Sequence, residues 1–352
     1  MKLLIYADAH YSEQSSIIRS QGKKYSTRIE NVIDTVNWLE EIAYNNDCKH
    51  VVMLGDFFDK SSLTAMEITA LSEIKFEDTI FHSFVCGNHE MGNNDSSISS
   101  AKIFNLLQNS EVIDECGCIA LDEANKVKVY VIPYILETNR KSLGEYLENS
   151  NNYKTVVLSH NDIRGINMGT FVTNTGFTID EIEQASDLFI NGHIHNQSWL
   201  NEDKTILNIG NITGQNFSED AFKYPHQAVI LDTKDLSLKF IENPYAFNFY
   251  KLDYSNVSID SMFHALTNLK NNSIISLKIN YKFTDTVKQF IDNLENIIEY
   301  RITSVGFNKS LLKEENTFSQ ETSDYLKQFT NFMMDNIEGN EDVIHELQEI
   351  CK

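Results

Sequence analysis

Eight side chains in five short motifs could do chemistry in this sequence. The motifs are Asp8-Ala9-His10, Gly55-Asp56-Phe57-Phe58-Asp59, Gly87-Asn88-His89-Glu90, Ser159-His160 and Gly192-His193-Ile194-His195. They supply Asp8, His10, Asp56, Asn88, His89, His160, His193 and His195. Carboxylate, amide oxygen and imidazole together make a donor set for divalent metal, large enough for two ions. Two cations ~3.5–4 Å apart imply phosphoester hydrolysis, because they clamp a phosphate and lower the pKa of water. Asp56 has two carboxylate oxygens at the exit of an apolar run and is the expected bridging ligand. Asp8 with His10, and His193 with His195, are spaced i, i+2 and share one side of an extended chain. With no thiolate in the set there is no special pull towards zinc. Mn²⁺ is the expected ion, ahead of Fe²⁺, Zn²⁺ and Mg²⁺.

Each motif follows a short apolar run that reads as a strand, so each should lie on a loop at a strand's C-terminal end. Strands are expected at 2–7, 50–54 and 79–85, with helices at 27–45 and 62–75 between them. This alternation predicts a sheet flanked by helices. A helix is expected at 101–107 and short strands at 112–113, 118–121 and 127–132. Buried strands at 155–158 and 187–190 feed the histidine loops. Segments 199–200, 205–209, 228–232 and 238–241 read as antiparallel strands. Two sheets packed face to face, with helices outside, account for the pattern. Asn243-Pro244 marks a boundary, followed by one β-α-β unit with strands at 274–279 and 297–305 and a helix at 285–294. A polar linker at 308–319 then leads to amphipathic helices at 321–337 and 341–350.

The 352 residues suggest more than one domain, since single cores seldom grow beyond ~250 residues. No run approaches the ~18 apolar residues of a membrane span, and 1–6 is too short for a signal core, so the expected location is the cytoplasm. Five scattered cysteines argue for a reducing compartment, and Cys116-Gly117-Cys118 reads as thiols without a role. His82, His226, His264 and His345 lack ligand contexts and are expected to be structural or exposed. The net charge of −22 argues against strong unaided binding to nucleic acid, which usually needs a basic footprint. It leaves room for a nuclease that borrows a basic surface from a partner.

The five motifs in this order resemble those of the calcineurin-like metallophosphoesterases, over roughly residues 1–245. The resemblance implies a four-layer αββα sandwich, with a small α+β cap and C-terminal helices beyond it. It implies that Asp8, His10, Asp56 and His195 hold one metal, and that Asp56, Asn88, His160 and His193 hold the other. His89 would stand beside the scissile phosphate as the catalytic residue and not as a ligand. Within that superfamily the chain is most similar to SbcD-type repair and recombination nucleases, including bacteriophage members. Gly55-Asp56-Phe57-Phe58-Asp59, Asn208-Ile209-Gly210-Asn211 and Ser218-Glu219-Asp220 carry that similarity. Glu90 departs from it, standing where aspartate is usual.

What the similarity implies is a two-metal DNA nuclease of 1–245 (host cytoplasm if viral), a cap at 246–306, and a docking segment at 307–352. The partners would be DNA, an SbcC-type coiled-coil ABC ATPase and a second copy of the chain. The dimer contact would use the apolar face of 62–75 with Ile103, Leu106 and Leu107. The alternative is a small-molecule phosphoesterase using the same metals on phosphomonoesters or cyclic nucleotides. A scaffold without activity is a third reading, disfavoured by the intact ligand set.

Overall fold

A computed structural model describes residues 1–13, 24–148, 152–166 and 172–306. Met1–Thr303 form one compact unit and Ser304–Lys352 a second. The expected helices at 321–337 and 341–350, and the linker before them, lie outside the described residues.

In chain order the elements are β1 (Lys2–Tyr6), α1 (Thr27–Asn45), β2 (His50–Leu54), α2 (Ala65–Leu71), β3 (Phe81–Val85) and β4 (Ser110–Ile113). Then come β5 (Gly117–Asp122), β6 (Val127–Ile132), β7 (Lys154–Ser159), α3 (Ile179–Ala185), β8 (Leu188–Asn191), β9 (Ser198–Trp199), β10 (Ile206–Asn208), β11 (Gln227–Asp232) and β12 (Ser237–Glu242). The last are β13 (Asn248–Tyr254), α4 (Ile259–Thr267), β14 (Ser273–Asn280), α5 (Thr284–Ile291) and β15 (Ile297–Val305). One sheet runs β12-β11-β1-β2-β3-β4, a second runs β5-β6-β7-β8-β10-β9, and a third runs β13-β14-β15.

Side-chain alternation along the strands builds the layers. Leu3 and Ile5 of β1 join Val52 and Leu54 of β2 in a core shared with Val129, Val131, Val156, Leu158 and Ile190 of the second sheet. Leu4 and Tyr6 face the other way and pack with Ile29, Val32, Val36 and Leu39 of α1. On the far face of the second sheet, Tyr130, Val157 and Phe189 pack with Ile182 of α3. The result is a helix–sheet–sheet–helix sandwich. Strands buried on both faces are mostly apolar, as at 3–6, 51–54 and 156–158, with a few buried polar residues such as His50 and Ser83. A third core, with Leu252, Met262, Leu277 and Val287, lies within the β13–β15 sheet and its helices.

Helix α1 has the bounds its apolar period predicts. Ser26 caps it by accepting from Ile29 N at 3.2 Å. Helix α2 is shorter than 62–75. Thr64 and Glu67 form a capping box at its start, and the bonds Ser72 N→Thr69 O, Glu73 N→Ala70 O and Ile74 N→Leu71 O tighten its end into 3-10 turns. Segment 100–106 is likewise 3-10, not α. Three further points concern topology. β10 pairs antiparallel with β9, as its segment predicted, and in addition parallel with β8 on its other edge. Helix α3 has no counterpart in the sequence reading. The third sheet contains β13 and α4 as well, with β13 and β14 parallel, so two crossovers replace the single β-α-β unit. No helix among the described residues is long and apolar enough to cross a membrane.

Candidate metal centre

β1, β2 and β3 are mutually parallel, as are β7 and β8, and their C-terminal ends carry all five motifs. The backbone there is unusual. Asp8, His10, Asp56 and His193 have φ of 55°, 49°, 53° and 70°, in the left-handed region that costs a non-glycine residue free energy. Asp8 and His10 therefore do not converge through an extended chain, as their spacing predicted. Their convergence comes from left-handed turns held by Asp8 N→Gly55 O and His10 N→Asp56 O bonds. Gly55 has φ +84°, and a Cβ there would fall 2.2 Å from the His160 ring. Only glycine lets these two loops touch.

The structure brings all eight predicted side chains together. Asp8, His10 and His195 form one cluster, and Asp56, His160 and His193 form a second. In the Asp8 cluster, His10 Nε2 and His195 Nε2 are 3.1 Å apart, and Asp8 Oδ1 lies 3.9 Å and 4.0 Å from them. In the Asp56 cluster, His160 Nε2 lies 3.1 Å from Asp56 Oδ2, and Asn88 Oδ1 lies 2.9 Å from His193 Nδ1. Asp8 Oδ2 accepts from His193 N at 3.0 Å and so links the clusters. Asp56 sits with His160 and His193, and its Oδ1 accepts from His89 N at 2.9 Å.

Four carboxylate or carbonyl acceptors decide which nitrogen each ring presents. Asp59 Oδ1 accepts from His10 Nδ1 at 3.0 Å, and Glu219 Oε1 accepts from His195 Nδ1 at 2.9 Å. The Leu54 carbonyl accepts from His160 Nδ1 at 2.7 Å, and Asp162 Oδ1 accepts from His193 Nε2 at 3.1 Å. The opposite nitrogen of each ring then carries a lone pair, and those lone pairs point into the clusters. Two facing lone pairs at 3.1 Å repel unless a cation lies between them. Among the described residues, Asp8 Oδ1 and His160 Nε2 are buried with no hydrogen-bond partner; the 3.1 Å approach of His160 to Asp56 lacks hydrogen-bond geometry. Buried polar atoms left in this state, on rings oriented by acceptors, fit metal ligands.

Electrostatics divide the cluster imidazoles: against burial, Asp56 raises His160 to about 9 and Glu219 raises His195, protons that a bound metal would displace. Burial holds the His10 imidazole below its usual pKa, against the pull of Asp59, and favours the neutral form a metal needs. Burial works against ionised Asp56, but His160 and the neighbouring imidazoles outweigh it and hold the carboxyl well below the usual range. His89 differs from the ligands. It is 41% exposed, its ring stands edge-on to His10 at 4.7 Å, and its Nδ1 donates to the Asp59 carbonyl at 3.1 Å. Asp59 raises its pKa to about 9, so the ring is cationic at neutral pH.

Four residues shape the site without having been given a role from sequence. Asp162 and Glu219 orient His193 and His195, and Asp59 holds both His10 and His89. Glu90 is fully buried, accepting from Gly87 N at 2.7 Å and Asp56 N at 3.2 Å through Oε2, and from Phe58 N at 3.1 Å through Oε1. It fastens the second motif to the third, a larger part than its departure from the usual aspartate implied. Burial, with Asp56 nearby, pushes its carboxyl up to about 7. Its position three residues after Gly87 was visible in the sequence; the contact of Glu219 with His195, 24 residues away, was not. His82 and His226 are structural, bonded to Glu40 and to the Asn211 carbonyl.

The calcineurin-like phosphoesterase superfamily domain matches residues 1–236. A DNA double-strand break repair protein Mre11 from Sulfolobus acidocaldarius is 26% identical over 208 residues, covering 56% of this chain and 50% of that protein. The chain thus spans about half the length of that curated relative. Among solved structures, a dimetal phosphatase from Danio rerio is similar at 10% identity and TM-score 0.39, over 69% of this chain and 99% of its own. The calcineurin-like phosphoesterase YfkN from Bacillus subtilis is similar at 13% identity and TM-score 0.37, over 69% and 88%. With the matched domain spanning both clusters, the chain belongs to the calcineurin-like phosphoesterase superfamily.

Proposed function

We propose that this protein is a two-metal DNA nuclease of the SbcD type, hydrolysing phosphodiesters in recombination or double-strand-break repair. The observation that carries the hydrolytic part is the pair of clusters with inward-facing, acceptor-fixed imidazoles. DNA as substrate is supported by the similarity to a double-strand break repair protein over 56% of this chain.

In this reading Asp8, His10, Asp56 and His195 hold one ion, and Asp56, Asn88, His160 and His193 hold the other, with Mn²⁺ the favoured metal. When bound, the pair supplies positive charge to the scissile phosphate and acidity to water. His89 is the chain's own catalytic group. It is protonated, reaches solvent at the mouth of the site and is held through Nδ1, which leaves the Nε2 edge to donate a proton to the leaving oxygen. Asp59 positions it.

Residues 246–306 are the proposed cap. Segments 321–337 and 341–350, amphipathic in sequence, are the proposed dock for an SbcC-type coiled-coil ATPase. That partner would also supply the basic surface which a chain of net charge −22 lacks. A homodimer contact through α2 and its neighbours draws support from outward-facing Met66, Ile68 and Leu106, whereas Ala70 and Ile74 of the same stretch pack in the core.

The test is Mn²⁺-dependent digestion of linear duplex and single-stranded DNA, with and without a coiled-coil ATPase from the same genome, beside nitrophenyl phosphate. DNA cleavage that the ATPase stimulates is expected. Efficient turnover of nitrophenyl phosphate with no cleavage of DNA would replace this reading with a small-molecule phosphoesterase.

A further inference from the structure

The segment 211–221 touches the Asp8 cluster on one side and the third sheet on the other. Ile212 N donates to the Ala7 carbonyl at 3.1 Å and Thr213 Oγ1 to the Ala9 carbonyl at 3.2 Å. Those carbonyls flank Asp8, and the second precedes His10. Asn211 N donates to the His195 carbonyl at 3.1 Å, and Glu219 fixes the His195 ring. The segment therefore braces the backbone beside all three members of the cluster, in addition to the bonds that Asp8 and His10 make to the Gly55 and Asp56 carbonyls and to Asp59. The rings of the Asp56 cluster are fixed from elsewhere, by Leu54 and Asp162.

The opposite edge of the segment is laced to β13. Phe247 N donates to the Thr213 carbonyl at 2.9 Å, and Ala221 N to the Phe249 carbonyl at 3.1 Å. Arg28, only 5% exposed, clamps the segment from α1, donating from Nη1 to the Gly214 carbonyl at 2.9 Å with its guanidinium 5.8 Å from the Phe247 ring. Gly214 has φ +72°, and a Cβ there would lie 2.0 Å from the Phe247 carbonyl oxygen. The two backbones are therefore in direct contact, with no room for a side chain.

We infer that residues 211–221 position the Asp8–His10–His195 cluster alone, and that Arg28, by clamping them, ties that cluster's hold on its ion to the seating of the third sheet. This rests on the two-metal reading of the site and is independent of the substrate. Arg28 is a positioning residue: it touches no member of the cluster, and acts through the Gly214 carbonyl and through the attraction of its charge to Glu219 and Asp59, which orient His195 and His10.

Calorimetric titration of the whole, metal-stripped chain with Mn²⁺ tests it without any substrate. Wild type should take up two ions. Arg28→Met and Gly214→Ala should each leave one ion at wild-type affinity and weaken the other about ten- to a hundredfold, the size expected for losing a residue that orients a ligand. Arg28→Lys, which keeps a cationic donor, should recover part of the loss. In a His195→Ala background, which disables the Asp8 cluster, Arg28→Met should not change the affinity of the remaining ion. Gly214→Ala leaves Arg28 in place, so agreement between the two variants does not depend on either one's effect on folding. Variants that bind both ions like wild type, or weaken both alike, would overturn the inference. A wild-type chain that binds no Mn²⁺ would overturn the two-metal reading itself.

Discussion

The two clusters are built by different means from the same kinds of side chain. The Asp56 cluster stands on the ends of β2, β7 and β8, deep between the stacked sheets, with His160 fully buried and Asp56 at 2% exposure. One of its rings is held by a strand-end carbonyl. The Asp8 cluster shares the strand-end origin, but His195 is 29% exposed and both of its rings are held by carboxylates on loops, Asp59 and Glu219. A ligand supported by a packed sheet moves only if the core moves. A ligand supported by a loop can be loosened by anything that shifts the loop. In the two-metal reading proposed above, the Asp56 position is then the more firmly held, with His193 alone resting on a loop carboxylate, Asp162, and the Asp8 position is the more adjustable.

Asp56→Ala should have the largest effect, because Asp56 is the proposed common ligand. Loss of several kcal/mol of transition-state stabilisation corresponds to about a 10³-fold or greater fall in hydrolysis, with metal released. Metal content and rate measured on one preparation check both. Retention of two tightly held ions would end the bridging assignment.

Next is His89→Asn, which should keep the ions yet slow hydrolysis about 10²–10⁴-fold, the usual worth of a positioned proton donor. His89 donates in its protonated form, so the wild-type rate should fall as pH rises. The midpoint should lie at or below about 9, since bound cations favour the neutral ring. The pH–rate profile of His89→Asn should lack that falling limb.

Glu219→Gln and Asp162→Asn separate the clusters more finely. Each should cost about ten- to a hundredfold in affinity for one ion, the former at the Asp8 cluster and the latter at the Asp56 cluster. Competition with a calibrated chelator would show it. Equal losses at both ions in either variant would erase the contrast drawn above.

The last effect is on folding stability and leaves the site itself untouched; it concerns the sheet beneath the Asp56 cluster. His50 begins β2, donates from Nε2 to Ser83 Oγ at 2.7 Å, and is held neutral by burial, with a pKa near 4. Its folded pKa lies below the unfolded value of about 6.5. The neutral ring therefore adds stability above pH 6.5, and that contribution is lost as pH falls through 4. The stability of wild type relative to His50→Gln should shrink by at most about 3 kcal/mol between pH 7 and pH 4, read by urea unfolding.

Much of this site was legible because its donors occur in short motifs that each follow an apolar strand, and strand ends are where a parallel sheet presents its loops. α1 was legible to its ends because 19 residues of period 3.6 follow a serine cap. α3 was not, since it has only seven residues and buries Ile182 alone; its one signal was the capping box of Thr178 and Glu181. β13 alternates buried Tyr250 and Leu252 with exposed Lys251 and Asp253, a readable strand that polar residues disguised. The pairing of β10 with β8 is set by packing, which local sequence does not carry. Asp162 is one of 51 acidic residues with no local mark, and Glu219, although it lies in the Ser218-Glu219-Asp220 segment, carries no local sign that it will meet a histidine.

The most direct test of the central claim is anomalous diffraction from crystals of the full chain grown with excess Mn²⁺. Two peaks are predicted, one among Asp8, His10 and His195 and the other among Asp56, His160 and His193. Ordered side chains at these positions with no peak between them, or a single peak that leaves one cluster empty, would contradict it.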